Sequence, residues 1–246
     1  MIDRRPVGAL RRELRLLRVP GVYGPCRDSE LLAEAVRAHV RDGDEVLDVF
    51  TGSGVQAVEA ARSGAADVWA IDVGRRAVAA AWINARLNGV RVTSRRGSIF
   101  EPVGKRRFDV ITANPPYVPS VGDGPVTGPA RAWEAGPDGR QLLDPLLRGL
   151  SGHLRPGGLA LIVHSSLCDV DRTIAMLVAE GLEAEAIARE TAALGPITAP
   201  RAEDLRRRGL LAPGVSTETT VVVRAVAPVR EEHPAHPAAG LALSAN

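Results

Sequence analysis

Residues 108–117 read FDVITANPPY, an apolar run followed by an asparagine, two prolines and a tyrosine. The run 108–113 has the length and the apolar character of a buried strand. Proline has no backbone N–H to offer a neighbouring strand, so the pair Pro115-Pro116 ends this strand. Asn114 is therefore held at the carboxyl edge of the predicted sheet, which is the edge where open α/β sheets bind their ligands.

The tetrapeptide Asn114-Pro115-Pro116-Tyr117 offers two hydrogen-bond acceptors and an aromatic face. The side-chain oxygen of Asn114 and the carbonyl of Pro115 suit the two hydrogens of a flat NH2 group. This combination predicts methyl transfer to a planar nitrogen, provided that the rest of the chain binds a methyl donor. A strand-ending turn without a binding role is the structural alternative.

A second ligand-binding signal lies upstream, in residues 48–54, which read DVFTGSG between a predicted strand and a predicted helix. Gly52 and Gly54 allow the backbone to pass close to a ligand at the amino end of that helix. Asp72, which ends the next predicted strand, follows Gly52 by 20 residues. This spacing suits a carboxylate that accepts both hydroxyls of a ribose. The pair indicates an adenosine-type cofactor and leaves a dinucleotide and S-adenosylmethionine both open.

Predicted strands and helices alternate from residue 46 onwards, which indicates a mostly parallel sheet covered on both faces. Seven strands are predicted, at residues 46–50, 68–71, 90–95, 108–113, 159–163, 182–188 and 219–226. Helices are predicted at 4–18, after a cap at Asp28 or Ser29, from residue 55 to 62, and at 75–87, 141–154, 171–180 and 201–208. A turn is predicted at 156–158, and the segment 119–139 is a loop rich in glycine and proline, of the length that binding loops have.

The composition is that of a globular chain of 246 residues with 45% hydrophobic residues and no apolar run near twenty residues. We therefore predict a cytoplasmic protein without a membrane anchor. The formal charge of only +2 gives no strong field for nucleic acid, so a nucleic-acid partner is not predicted. Cys26 and Cys168 are predicted to be free thiols, and the scattered histidines lack the spacing of metal ligands.

These motifs together resemble class I S-adenosylmethionine-dependent methyltransferases of the amino-methylating type, over about residues 19–226. Within that superfamily the chain looks like the HemK-related branch, whose characterised members methylate a glutamine side-chain amide in translation release factors. Residues 25–32, 84–89, 97–101 and 136–139 are further points of similarity. The resemblance implies a seven-stranded Rossmann-like fold at 41–227. The residue pattern predicts a helical extension at 1–40, and the composition predicts a disordered tail at 228–246. The resemblance also implies S-adenosylmethionine as cofactor, and a protein, a peptide such as part of a release factor, or a small molecule as substrate.

The resemblance also assigns the site residues. Asn114 and Pro115 are expected to accept hydrogen bonds from the target NH2 group, and Tyr117 to pack against it, with Pro116 completing the catalytic set. The expected cofactor-binding residues are Asp28, Ser29, Asp48, Phe50, Thr51, Gly52, Gly54, Asp72, Ser98, Ile99 and Asn114.

Two residues depart from the family pattern. Phe50 stands where many members have the first glycine of the loop, and Ser98 stands where an acidic residue usually binds the adenine amino group. Two functions therefore remain as alternatives, N-methylation of a nucleobase or small molecule, and a non-catalytic binding module that has kept the fold. Tyr23 and Trp133 flank the expected cleft in the sequence, and His164 closes a strand at the same sheet edge, although packing against the body is the other interpretation of each.

Overall fold

The computed structural model describes residues 14–121 and 128–229, and within them a seven-stranded sheet has the order β3-β2-β1-β4-β5-β7-β6. Strands β1 to β5 are parallel where they pair, and β7 runs antiparallel to both β5 and β6. The strands are β1 (Glu45–Val49), β2 (Asp67–Asp72), β3 (Thr93–Arg96), β4 (Phe108–Ala113), β5 (Leu154–Ser165), β6 (Glu183–Ala193) and β7 (Thr217–Val226). The predicted seven-stranded Rossmann-like fold is confirmed.

Six α-helices connect or cover these strands within the described ranges. They are α1 (Arg27–His39), α2 (Val55–Arg62), α3 (Arg75–Leu87), α4 (Leu143–His153), α5 (Val170–Ala179) and α6 (Ala202–Arg207). Within those ranges, none of the helices has both the length and the apolar character needed to cross a bilayer.

The hydrophobic core lies in two layers, one on each face of the sheet, because successive strand side chains point to opposite faces. Leu47 and Val49 of β1 point to the layer that contains the leucines of α4, whereas Val46 points to the layer that contains Leu32 and Val36 of α1. Both layers are fully shielded from water, which makes the central strands apolar on both faces, as parallel sheets require.

Several predicted boundaries match the structure. Strand β4 and helices α2 and α3 have the predicted bounds, and β1 and β2 differ from their predictions by one residue at each end or less. The predicted turn at 156–158 is wrong, since these residues belong to β5, where the register with β4 shifts between Phe108 and Val110. At this bulge the backbone N–H of Gly157 donates to the carbonyl of Ala227, and the N–H of Ala227 donates to the carbonyl of Gly158. These hydrogen bonds keep the chain within the sheet.

The predictions for the amino-terminal residues are partly wrong and partly outside the described residues. The predicted helix at 4–18 lies largely outside the described residues, and the described part, 14–18, is not helical. The predicted cap at Asp28 or Ser29 is wrong, because α1 begins at Arg27 and Cys26 occupies the capping position without a side-chain cap. Asp28 and Ser29 lie instead in the first helical turn, and their side chains bind other partners. The division at residue 40 stays a prediction, and the predicted tail lies outside the described residues from 230 onwards.

Candidate active site

A cleft of about 630 Å³ opens at the carboxyl ends of β1, β2 and β4. This volume lies within the range of ligand sites, roughly 300–1,000 Å³. The loop after β1 and the residues after β2 form one end of the cleft, and the residues after β4 form the other. The first turn of α1 contributes Asp28 and Ser29 between the two ends.

The loop after β1 presents backbone atoms to the cleft. Gly54 has φ +83°, and a Cβ at this position would lie 2.7 Å from the Cα of Ala81 in α3, so only glycine fits. Asp72 stabilises the same loop, since its Oδ2 accepts from the backbone N–H of Gly52 at 3.0 Å and its Oδ1 accepts from Gly74 at 2.8 Å. Each carboxylate oxygen keeps a lone pair for a further donor in the cleft. Burial raises the pKa of Asp72 above its ordinary value.

Phe50 and Ile99 both have positive φ, at +60° and +47° respectively. This conformation costs about 1–2 kcal/mol for a residue with a Cβ. Glycine adopts this conformation without that cost, which agrees with the glycine that the family pattern has in place of Phe50. The ring of Phe50 lines the cleft and packs against the core, whereas Ile99 only packs against the core.

Asp48 lies beneath the loop rather than in the cleft. Its side chain is 1% exposed and accepts hydrogen bonds from the hydroxyls of Thr51 at 2.5 Å and Thr112 at 2.8 Å. Burial raises the pKa of Asp48 to about 7, against the lowering effect of the two hydroxyls. Asp48 thus ties the start of the loop to the end of β4, and it connects the two ends of the cleft.

The residues after β4 form the second end of the cleft. Asn114, Pro115, Pro116 and Tyr117 all line it. The side-chain Nδ2 of Asn114 lies 3.5 Å from the Oγ of Ser29, and the hydroxyl of Tyr117 donates to Oδ2 of Asp28 at 2.9 Å. The first turn of α1 therefore contacts both polar side chains of the tetrapeptide.

Asp28 is only 4% exposed and gathers several donors. Besides Tyr117, its carboxylate accepts from the thiol of Cys26 at 2.6 Å, and from the backbone N–H and the hydroxyl of Ser29 at 2.6 and 3.2 Å. The thiol of Cys26 also lies 3.2 Å from the hydroxyl of Tyr23. Burial, reinforced by the charge of Asp28, raises the pKa of Tyr23, Cys26 and Tyr117. All three groups therefore keep their protons at neutral pH and remain donors.

Most of the predicted site residues meet in this one cleft, and three do not line it. Those that line it are Asp28, Ser29, Phe50, Thr51, Gly52, Asp72, Ser98, Asn114, Pro115, Pro116 and Tyr117. Asp48, Gly54 and Ile99 lie behind its wall. Tyr23 and Trp133 both line the cleft.

Sequence reasoning missed two groups of lining residues. The first is a set of arginines at or near the mouth, Arg75, Arg76, Arg96 and Arg131, and the second is Ser53 and Gln56 beside the glycine loop. The rule that ligands bind beyond the carboxyl ends of strands signals Arg75 and Arg76, which follow Asp72 closely. Arg131 lies in the 3-10 helix Gly128–Ala132 and has no such signal.

His164, Cys26 and Cys168 are the remaining residues that the sequence singles out. His164 is fully buried, its Nδ1 lies 3.0 Å from the carbonyl of Ser165, and burial lowers its pKa to about 4. Cys26 and Cys168 are free thiols, as predicted. No cluster of potential metal ligands occurs in the part of the chain that the structure describes.

Comparison with known proteins gives several matches. A family model described as ribosomal protein L11 methyltransferase (PrmA) matches residues 29–115. A Methanocaldococcus jannaschii protein named as a protein N5-glutamine methyltransferase is 36% identical over 171 residues, which are 69% of this chain and 85% of that protein. The release factor glutamine methyltransferase of Geobacter sulfurreducens is 33% identical over 150 residues, which are 58% of this chain and 53% of that protein. The chain thus spans most of the archaeal relative and about half of the bacterial one.

Among solved structures, the ribosomal protein L11 methylase of Lactobacillus delbrueckii subsp. bulgaricus superposes with a TM-score of 0.58. The superposition covers 93% of this chain and 91% of that chain at 20% identity. At this identity the likeness concerns the fold, which is that of the class I methyltransferases.

Proposed function

The chain belongs to the HemK-related family of S-adenosylmethionine-dependent methyltransferases, and from that premise we propose that it methylates a glutamine side-chain amide in a protein. The proposal rests on one observation, which is that residues of three sequence motifs line the same cleft. The glycine loop and Asp72 form one end of the cleft, and residues 114–117 form the other. This lining supports a methyl donor beside the glycine loop and Asp72 and a planar acceptor beside residues 114–117.

The cofactor end fits S-adenosylmethionine by its chemistry. Asp72 has acceptor capacity left for ribose hydroxyls, and the loop at Gly52 lets the ligand approach the backbone closely. Ser98, which is exposed beside the cleft, offers a hydroxyl toward the adenine end. When bound, the cofactor supplies an electrophilic methyl group on a sulfonium sulfur.

At the acceptor end, the chain positions the nitrogen and stabilises its developing positive charge. Oδ1 of Asn114 and the carbonyl of Pro115 accept the two N–H groups of the amide, which favours a pyramidal nitrogen whose lone pair faces the methyl group. The ring of Tyr117 packs on the flat group and restricts its approach to the in-line direction. With S-adenosylmethionine held by the glycine loop and Asp72, the sulfonium would supply the methyl group and leave as a neutral thioether that keeps the electron pair of the broken bond. The methylated nitrogen, held by Asn114 and Pro115, would then release one N–H proton to water, and no strong base would be needed because a protonated amide nitrogen is strongly acidic.

The substrate class rests on the relatives. The archaeal relative is named for N5-glutamine methylation, and the bacterial one for methylation of a release factor. Another relative, from Bradyrhizobium diazoefficiens, is named for glutamine methylation of ribosomal protein uL3 and is 36% identical over 138 residues. A protein of the translation apparatus that presents a glutamine on an accessible loop is therefore the proposed substrate.

Two measurements test the proposal. Titration calorimetry with S-adenosylmethionine is expected to show binding, and absence of heat would indicate a binding module that has lost the cofactor. Incubation of the enzyme with methyl-labelled cofactor and a recombinant release factor or uL3 is expected to place the label on a glutamine, as located by mass spectrometry. Label found only in nucleic acid or in a small molecule would refute the protein substrate.

The variant Asn114→Ala tests the acceptor end directly. It is expected to lower turnover at least 100-fold, because two preplaced acceptors are reduced to one, while the dissociation constant for S-adenosylmethionine stays within about twofold. The matched control is Asn88→Ala at the end of α3, an asparagine that binds the backbone of Arg15 away from the cleft. Survival of turnover in Asn114→Ala would exclude the role given to this side chain.

A further inference from the structure

The first turn of α1 lies against the acceptor end of the cleft, although the sequence suggests it as part of the cofactor site. We propose that Asp28 and Ser29 are positioning residues that orient Asn114 and Tyr117 for the methyl acceptor. This inference rests on the proposed function, since it concerns how the same acceptor site is held. The two residues are called the Asp28–Ser29 pair below.

The orientation of Asn114 follows from the direction of the hydrogen bonds. The hydroxyl of Ser29 has one hydrogen, and a carboxylate is a stronger acceptor than an amide oxygen, so this hydrogen goes to Asp28. Oγ of Ser29 is then left as an acceptor, and only the NH2 group of Asn114 satisfies it. Oδ1 of Asn114 is consequently turned away from Ser29 and left free for a donor in the cleft.

The orientation of Tyr117 follows from the second carboxylate oxygen. Its hydroxyl donates to Oδ2 of Asp28 at 2.9 Å, which fixes the ring at its far end while the backbone fixes it at the near end. One carboxylate thus holds both polar side chains of the tetrapeptide, one directly and one through Ser29.

The carboxylate itself is held in place. Gln56, in the first turn of α2, donates from Nε2 to the backbone carbonyl of Ser29 at 2.9 Å, which fixes the first turn of α1 to the helix behind the glycine loop. Among the described residues, the side-chain donors to Asp28 are two hydroxyls and a thiol, and no ion pair involves it.

Four variants test the pair by separating acceptor positioning from cofactor binding. Asp28→Asn is expected to lower kcat roughly 10- to 100-fold, the size expected when an acceptor is misplaced by a fraction of an ångström to an ångström. Ser29→Ala is expected to lower kcat in the same direction, and Ser29→Thr, which keeps the hydroxyl, to restore it to within about threefold. In all three, the dissociation constant for S-adenosylmethionine is expected to stay within about twofold. Tyr117→Phe removes only the hydroxyl group that donates a hydrogen bond to Asp28.

The double variant Asp28→Asn with Tyr117→Phe shows whether the two side chains act as one unit. If they do, its kcat is no lower than that of the more severe single variant, because both changes break the same contact. Multiplicative losses would overturn the connection through Tyr117. A tenfold or larger rise in the cofactor dissociation constant with unchanged kcat would overturn the whole proposal and return the pair to the cofactor site. Asp171→Asn and Ser151→Ala, on α5 and α4, are the matched controls, because neither residue lines the cleft.

A spectroscopic measurement keeps this inference separate from the proposed function. The side-chain NH2 resonances of Asn114, identified by their loss in Asn114→Ala, are expected to shift in Ser29→Ala and Asp28→Asn but not in the controls. No acceptor is needed for this measurement. Absence of a shift would overturn the positioning role. If the two variants show the shifts but the wild-type enzyme labels no glutamine, only the choice of substrate is overturned.

Discussion

Gly139→Ala provides a demanding test of how the acceptor end is built. Gly139 closes the loop 136–139 with φ +72°, and a Cβ at this position would lie 2.2 Å from the backbone oxygen of Tyr117 and 2.8 Å from Sγ of Cys168. That oxygen belongs to the tetrapeptide and already accepts a hydrogen bond from the Cys168 thiol at 3.0 Å. An added methyl group therefore pushes directly on the residues that are proposed to hold the substrate.

The loop itself cannot retreat easily, because the next residue is anchored. Arg140 is 2% exposed, and its guanidinium donates to the carbonyls of Cys168 and Asp169, to the hydroxyl of Thr173 and to Asp144. Removing buried charge-assisted contacts of this kind costs more than moving one strand-end residue. The displacement should therefore fall mainly on residues 114–117.

The expected magnitudes follow from these distances. The left-handed conformation costs an alanine about 1–2 kcal/mol, and forcing a methyl group into a packed site costs about 1–3 kcal/mol more. Restoring an ordinary contact requires a shift of roughly 1 Å, and a misplacement of that size lowers the rate on the order of 100-fold. Gly139→Ala should thus lose both stability and turnover.

Gly181→Ala is the matched control. Gly181 follows α5 with φ +79°, and nothing lies within 4 Å of a Cβ built there, so this variant has the conformational cost without the steric one. The melting temperature of Gly139→Ala should be about 2–12 °C lower than that of the control, from about 1–3 kcal/mol at 2–4 °C each. Thermal unfolding and kcat would be measured on both. If Gly139→Ala and Gly181→Ala have equal melting temperatures and equal kcat, the claim that a methyl group at residue 139 displaces residues 114–117 is refuted.

Two pH-dependent predictions have opposite signs. Burial raises the pKa of Asp48 to about 7 in the folded protein, so the contribution of Asp48 to the free energy of unfolding falls as pH rises from about 4 to 7. The variant Asp48→Asn lacks this titration. Its stability relative to wild type should therefore rise by up to about 2 kcal/mol between pH 5 and 7. Burial lowers the pKa of His164 to about 4, so the contribution of His164 to the free energy of unfolding is lost as pH falls below 6.5. The variant His164→Gln should therefore gain up to about 2 kcal/mol of stability relative to wild type as pH falls from 6.5 to 5. Urea denaturation at these pH values checks both, and parallel curves for wild type and variant would contradict either one.

The fold was predictable where local signals were strong. Strand β4 and helix α3 match their predicted bounds, because a mostly apolar run that two prolines follow and a clear helical period leave few alternatives. Strand β6 was predicted to end at Ala188 but continues to Ala193. The extra residues include Glu190 and Thr191, which are polar. They are held by the antiparallel pairing with β7 rather than by burial, so no apolar pattern marks them.

The residues at both ends of the candidate site were predictable, whereas the side-chain contacts that hold the acceptor end were not. Gly52 and Asp72 each follow a predicted strand, so the rule about strand ends placed them in the cleft. The bonds from Asn114 to Ser29 and from Tyr117 to Asp28 instead span 85 and 89 residues. Such pairs depend on how α1 packs over β4, which no local pattern specifies.

This difference in construction predicts a difference in how the two ends respond to substitution. The cofactor end is formed largely by backbone groups, such as the N–H of Gly52 that Asp72 accepts, so changes there alter cofactor affinity through the shape of the loop. The acceptor end is held by side chains, through the carboxylate of Asp28, the hydroxyl of Ser29 and the hydroxyl of Tyr117. Isosteric changes at that end leave the cleft open but misdirect the acceptors, and their cost appears in kcat because alignment matters most in the transition state. On the proposed function, substitutions at the acceptor end are therefore expected to change which nitrogen is methylated while the dissociation constant for S-adenosylmethionine stays the same.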